Sequence, residues 1–212
     1  MNVDILTCTN GRPECLALCR RWVDQQTYKK VNHVIAEGGE IWDNMLDGLA
    51  RCQGDAVVIF EDDDYYSPDW VEICVRELER ADLFGQKRAF MYHAPTGGYA
   101  DKIPTNGYSS LHSTAFRSSL KTLMADIVQD TKADNDPCLD GPLWHKFGGP
   151  KHTIDVRKVI TMKALPGKAG YSPKHQANRY SKFDRDRSVL RLWAGDEAAD
   201  IYTRMIREHL GK

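Results

Sequence analysis

No stretch of the 212 residues approaches the ~18 consecutive apolar side chains that a membrane-spanning helix requires, so no span is expected. The opening Met1-Asn2-Val3-Asp4 lacks a basic segment followed by an apolar one, and a secretory leader is not expected either. Cys-x-x-Cys pairs are missing, and none of the six cysteines has the Cys/His spacing of a zinc site. Several of them fall at apolar positions of predicted helices, where a thiol serves as a small hydrophobe. A reduced, cytoplasmic setting is therefore expected. Internal repeats and low-complexity linkers are also absent, which favours a single domain over two. Charge of one sign is lacking overall: 29 Lys and Arg face 30 Asp and Glu, for a net charge of −1. That balance argues against non-specific polyanion binding by the whole surface.

The near-neutral total hides a segregation. From Glu61 to Asp82 there are nine acidic and two basic residues, whereas from Arg157 to Arg187 there are nine basic and two acidic ones. Solvated faces are the ordinary explanation of such runs, but the order of residues within each points further.

Along the first hundred residues short apolar runs alternate with helical periodicity. Val3–Leu6, Val31–Ala36 and Ala56–Phe60 read as strands, the last an uninterrupted apolar run suited to a strand buried on both faces. Helices are predicted after Pro13, around Ile41–Leu49, and after Pro68. This order implies an α/β fold, a mostly parallel central sheet flanked by helices with right-handed crossovers. Later, Arg88–His93, Ser113–Arg117 and Val159–Met162 read as strands and Leu120–Val128 and Leu143–Phe147 as helical. Leu165–Lys182 reads as a mobile loop, and Asp196–Leu210 as an amphipathic helix. One domain over 1–212 is expected, its parts being 1–82, 83–164, and a basic loop with a C-terminal helix over 165–212.

Parallel sheets place ligands beyond the carboxyl ends of their strands. There stands Glu61-Asp62-Asp63-Asp64, directly after the most apolar strand. Four adjacent carboxylates repel one another and raise each other's pKa, a cost that a divalent cation relieves. Hard oxygen ligands select Mg²⁺ or Mn²⁺. A helix N-terminus welcomes acids too, which explains Asp69 but not four acids placed three to six residues ahead of the helix.

Val57 to Trp70, with Glu61-Asp62-Asp63-Asp64, Pro68 and the following helix, resembles the D-x-D segment of GT-A-fold glycosyltransferases, especially the large family 2. Thr7-Cys8-Thr9-Asn10-Gly11-Arg12-Pro13 resembles that family's opening Thr-x-x-Asn-Arg-Pro with one inserted Gly. Glu37-Gly38-Gly39, Asn44, Gly54-Asp55 and Ser113 to Leu120 are similar to further ordered motifs, so the likeness covers about residues 3 to 150. It implies a GT-A, Rossmann-like sheet and a metal-dependent transfer of sugar from a nucleotide-sugar donor, UDP-linked by expectation. Asp63 is then the first metal ligand, Glu61 holds the first acidic place, and Asp64 is an alternative ligand. Asp62 lies near the ribose, Thr9 and Glu37 line the nucleoside pocket, and Thr7, Arg12 and Asn44 join the donor-binding set. Glu replaces the family's first Asp, which leaves the roles of Glu61 and Asp62 open. Asp140, before Leu143-Trp144, resembles the family's catalytic base, with Asp134 and Asp136 as alternatives; helix capping is its other reading.

Departure of a nucleoside diphosphate builds negative charge that cations stabilise. Lys168, Lys174 and Arg179 are candidates for that clamp, and His175 resembles the histidine that completes the metal shell in many GT-A enzymes. The basic 157–187 segment, interleaved with Tyr171, Tyr180 and Phe183, also admits a DNA acceptor carrying a hydroxymethylated pyrimidine. A nucleotidyltransferase or a non-catalytic nucleotide-binding protein on the same sheet are the rival readings.

Overall fold

A computed structural model describes residues 1–102, 107–165 and 176–210. The chain opens with β1 (Val3–Cys8), α1 (Pro13–Asp24), β2 (Val31–Ala36), α2 (Ile41–Arg51) and β3 (Ala56–Ile59). Next come β4 (Tyr65–Tyr66), α3 (Trp70–Glu77), β5 (Leu83–Gln86), β6 (Ala89–His93) and β7 (Gly98–Lys102). Then follow β8 (Thr114–Arg117), α4 (Lys121–Ala133), α5 (Asp140–Lys146), β9 (Lys151–Ile154) and β10 (Val159–Lys163). β11 (Lys182–Phe183), α6 (Ser188–Ala194) and α7 (Asp196–Leu210) complete it.

The central sheet has six strands in the order β2-β1-β3-β8-β5-β9. β1 pairs parallel with β2 and β3, and β5 with β9, while β8 runs antiparallel to both β3 and β5. Alternation along the strands sorts the core into two layers. Ile5, Val58 and Phe84 pack with α1, α3 and α7 on one face, and Leu6, Val57, Ile59 and Leu83 pack with α2, α4 and α5 on the other. This is the expected α/β arrangement with helices on both sides.

A second sheet, β11-β7-β6-β10-β4, was not foreseen. Its strands are short, and β4 is two residues long, beneath what periodicity can register. β5 also escaped notice, because Gly85 interrupts its apolar pattern. The glycine is required: a Cβ there would stand 2.3 Å from the Ser109 Cβ and 3.0 Å from the Ser113 carbonyl oxygen. Of the expected loop at 165–182, residues 166–175 lie outside the described residues. Ala177–Arg179 form a 3₁₀ turn, and Lys182–Phe183 pair with β7.

Trp70 is fully buried, its ring 5.7 Å from Phe84, and it seals α3 onto the sheet. Trp70→Ala is expected to lower the unfolding free energy by about 3–5 kcal/mol. Urea denaturation reads this directly, and a loss below about 1 kcal/mol would contradict the packing described.

Candidate active site at the junction of two sheets

Glu61–Asp64 is the crossing between the two sheets: β3 delivers the chain from the first, and β4 receives it in the second, against β10. The crossing is pinned where it begins and ends. Phe60 and Tyr66 stack with ring centroids 3.6 Å apart, and the Glu61 amide donates to the Tyr66 hydroxyl at 2.7 Å. Asp62, Asp63 and Asp64 are consequently buried, at 0%, 4% and 0% exposure.

Each acid meets a different partner. Asp62 Oδ2 accepts from Thr9 Oγ1 at 2.6 Å and from Arg12 Nε at 3.3 Å, and its Oδ1 accepts from Arg12 Nη2. Asp63 Oδ2 accepts from Arg12 Nη1 at 2.9 Å. Asp64 Oδ1 accepts from the Met162 amide at 2.8 Å, but its Oδ2 is buried with no hydrogen-bond partner. Burial pushes Asp64 well above the usual carboxylate range, and repulsion from Asp63 and Glu61 adds to it. Glu61 keeps 37% side-chain exposure on the cavity side yet is otherwise enclosed by protein. Burial raises its pKa to about 7, against the opposing pull of Lys163.

Among the described residues, two cations answer these four carboxylates. Burial works against the charge of Arg12, but Asp63 and Asp62 outweigh it and raise its pKa. Lys163, at the end of β10, is 8% exposed; burial alone would lower it, and Asp64, Asp63 and Glu61 raise it instead. His112 approaches from the turn before β8, with Nδ1 3.7 Å from Asp64 Oδ2 and 3.9 Å from Glu61 Oε1. Its Nε2 lies 2.8 Å from Thr161 Oγ1. Burial, helped by Lys163, lowers His112 to about 3, so the ring is neutral and these contacts are not ion pairs.

Except for Asp64, which does not reach its surface, the cluster lines a cavity of about 450 Å³. Thr9, Arg12, Asn44, Glu61, Asp62, Asp63, His112 and Lys163 line it, and so does Asp140 from the first turn of α5. Asp140 Oδ1 accepts from the Gly141 amide at 2.9 Å and from Cys138 Sγ at 3.1 Å. Asn44 ties the loops after β1 and β2 together, its Nδ2 donating to the Thr9 and Gly39 carbonyls at 3.0 Å each.

Other expected site residues lie elsewhere. Thr7 is fully buried on the α1 side of β1, its hydroxyl 3.0 Å from His33 Nε2 and 3.5 Å from Cys19 Sγ. Strand alternation explains this, since Thr7 shares a face with Val3 and Ile5. Glu37 is exposed after β2, and Glu40 reaches the cavity wall in its place. Asp134, Asp136 and Arg179 are exposed and do not line the cavity. Lys168, Lys174 and His175 lie outside the described residues. His112 and Lys163 carry no sequence signal, because His112 stands in a short turn and Lys163 ends a short strand, and each gains its neighbours only through the second sheet.

The Thr7 neighbour offers a pH test. Burial, with Arg20 adding, lowers His33 to about 4 from the ordinary value of 6.5. The fold thus favours the neutral ring, and the stability it contributes is complete above about pH 6.5 and lost as pH falls towards 4. His33→Gln should flatten the decline of unfolding free energy across that window; an unchanged slope would refute the assignment.

A divalent cation fits this site on chemical grounds. Glu61, Asp64 and His112 each present one ligand atom, all within 4.8 Å of one another, and Asp64 Oδ2 is a buried oxygen with no hydrogen-bond partner.

The family model for glycosyl transferase family 2 matches residues 6–124. The chain belongs to glycosyl transferase family 2. The match takes in the acidic crossing, Arg12, Asn44 and His112, and ends before Asp140 and Lys163. No curated protein matches this family 2 chain by sequence. Among solved structures it is similar to S. aureus TarS, at 9% identity with a TM-score of 0.53 over 76% of this chain. It resembles TarS 1–349 in complex with UDP comparably, at 11% and 0.52. The chain spans only 37% and 60%, respectively, of those two TarS chains. It is also similar to the mannosyltransferase PcManGT from Pyrobaculum calidifontis, solved with GDP-Man and Mn²⁺. There the identity is 12% and the TM-score 0.55, covering 99% of this chain and 74% of that one. These likenesses establish the GT-A-type fold of this family 2 member. No helix among its described residues is long and apolar enough to cross a membrane.

Proposed function

We propose that the protein transfers a sugar from a nucleotide-sugar donor to an acceptor hydroxyl, with a divalent cation at the acidic crossing. The observation that carries this reading is one cavity lined both by Glu61, Asp62, Asp63 and His112 and by Asp140. Glu61, Asp64 and His112 are the residues present to hold Mn²⁺ or Mg²⁺, which when bound supplies positive charge to a departing diphosphate. Lys163 adds a fixed ammonium on the same side. Asp140 takes the proton of the acceptor hydroxyl as that oxygen bonds to the anomeric carbon and the bond to the diphosphate breaks, an inverting displacement. Family membership and the UDP and GDP-Man complexes of the structural neighbours support a UDP- or GDP-linked donor.

A DNA acceptor has thinner support. In the basic segment Lys158 pairs with Asp69, Arg157 donates to the Leu192 carbonyl, Arg187 donates to Tyr92, and Lys163 turns inward. Arg179, Lys182 and Arg185 remain exposed to meet a phosphate backbone. A cytoplasmic setting is consistent with six free thiols.

A thermal-shift panel of nucleotide sugars with and without Mn²⁺ tests the reading. At least one UDP or GDP species should raise the melting temperature by about 5–10 °C at 100 times its Kd, and only with the metal. If no nucleotide shifts the transition, with or without metal, the proposal fails.

A further inference from the structure

We propose that the divalent cation in this chain is held by Glu61, Asp64 and His112, while Arg12 acts as the standing counter-ion of Asp62 and Asp63 and removes both from the ligand set. The inference rests on the metal-dependent reading above and departs from the assignment that D-x-D resemblance gives to Asp63.

The partition follows from what each carboxylate already has. Three Arg12 nitrogens are committed, two to Asp62 and one to Asp63, in the forked geometry that guanidinium gives to carboxylates. Thr9 satisfies Asp62 further. The three charged side chains are only 13%, 0% and 5% exposed, so a metal seated on Asp62 or Asp63 would have to evict a buried arginine.

Asp64 is the reverse case. One oxygen is anchored by the Met162 amide, and the other is fully buried, unpartnered and faces His112. Thr161 holds His112 by Nε2 and leaves Nδ1 directed at both Asp64 and Glu61. An octahedral ion with ~2.1 Å bonds places its ligand atoms about 3.0 Å apart when adjacent and about 4.2 Å when opposite. The observed separations of 3.7 and 3.9 Å lie between those two values, so a shift of under an ångström in the side chains brings these donors onto one ion. An imidazole among the ligands shifts preference from Mg²⁺ towards a transition ion such as Mn²⁺.

The test is Mn²⁺ binding to the full-length chain without nucleotide, followed by electron paramagnetic resonance. The wild type should bind one Mn²⁺ and show ¹⁴N modulation in the pulsed spectrum. His112→Phe should abolish the modulation and weaken binding at least tenfold, with His112→Gln as the second variant if Phe impairs folding. Asp64→Asn should also weaken binding at least tenfold, whereas Asp63→Asn should stay within about threefold of wild type. Arg12→Gln should tighten binding at least threefold by freeing Asp62 and Asp63. Loss of binding in Asp63→Asn, with wild-type modulation in His112→Phe, would overturn the assignment while leaving donor stabilisation by metal intact. A wild type that takes up no Mn²⁺ at millimolar concentration would overturn it as well.

Discussion

Asp140→Asn is expected to slow sugar transfer by about 10²- to 10⁴-fold while leaving Mn²⁺ and nucleotide affinity within about twofold of wild type. The split follows from geography. Asp140 stands at the start of α5, lines the same cavity as the acidic crossing, and has no contact with Arg12, Lys163 or His112 among the described interactions. Asparagine keeps an oxygen for the Gly141 amide and the Cys138 thiol, so the first turn of α5 should persist. It cannot take a proton from the acceptor. A variant with near-wild-type kcat would reduce Asp140 to a helix-end residue and move the base elsewhere. Unchanged transfer together with a lower melting temperature would identify the capping role that its position also allows.

Asp64→Asn is expected to have two effects of opposite sign. Metal-dependent transfer should fall by at least about 10²-fold, because the leaving diphosphate loses its preorganised positive partner. The metal-free protein should become more stable by about 1–3 kcal/mol. An unpartnered carboxylate oxygen held at 0% exposure is costly whether it stays ionised or takes up a proton, whereas the uncharged amide turns an N–H donor towards the neutral His112 Nδ1. The Asn side-chain oxygen can still accept from the Met162 amide. Chemical denaturation in EDTA and a transfer assay in Mn²⁺ measure the two halves separately. Loss of activity accompanied by loss of metal-free stability would mean that Asp64 is a structural residue with no cation to await. Natural sites give up stability for function in this manner.

The part of this arrangement that could be read from sequence is the part written in local pattern. Ala56–Ile59 followed by four acids announces a buried strand that delivers carboxylates to the end of a sheet. Pro13 and Pro68 mark the helices on either side, and Asp140 before Leu143-Trp144 proves to face the same cavity. Other features depend on contacts between distant segments. His112 and Lys163 become site residues only because β8 inserts beside β3 and β10 meets β4, pairings of strands two to five residues long. Arg12 could be placed near the donor by resemblance, but its commitment to Asp62 and Asp63 depends on how far the loop after β1 reaches. Thr7 shows the opposite kind of miss. Its orientation towards α1 follows from the two-residue period set by Val3 and Ile5, and motif similarity obscured a signal that was present.

As proposed, this cavity binds a nucleotide sugar with a divalent cation and breaks the bond to its diphosphate. Release of nucleoside diphosphate from a panel of UDP- and GDP-sugars, followed in Mn²⁺ and in EDTA, tests it most directly. Turnover of at least one donor is expected in Mn²⁺, abolished by EDTA and reduced at least about 10²-fold in Asp64→Asn. Turnover that is indifferent to EDTA and to Asp64→Asn, or no release from any donor across a broad acceptor set, would contradict it.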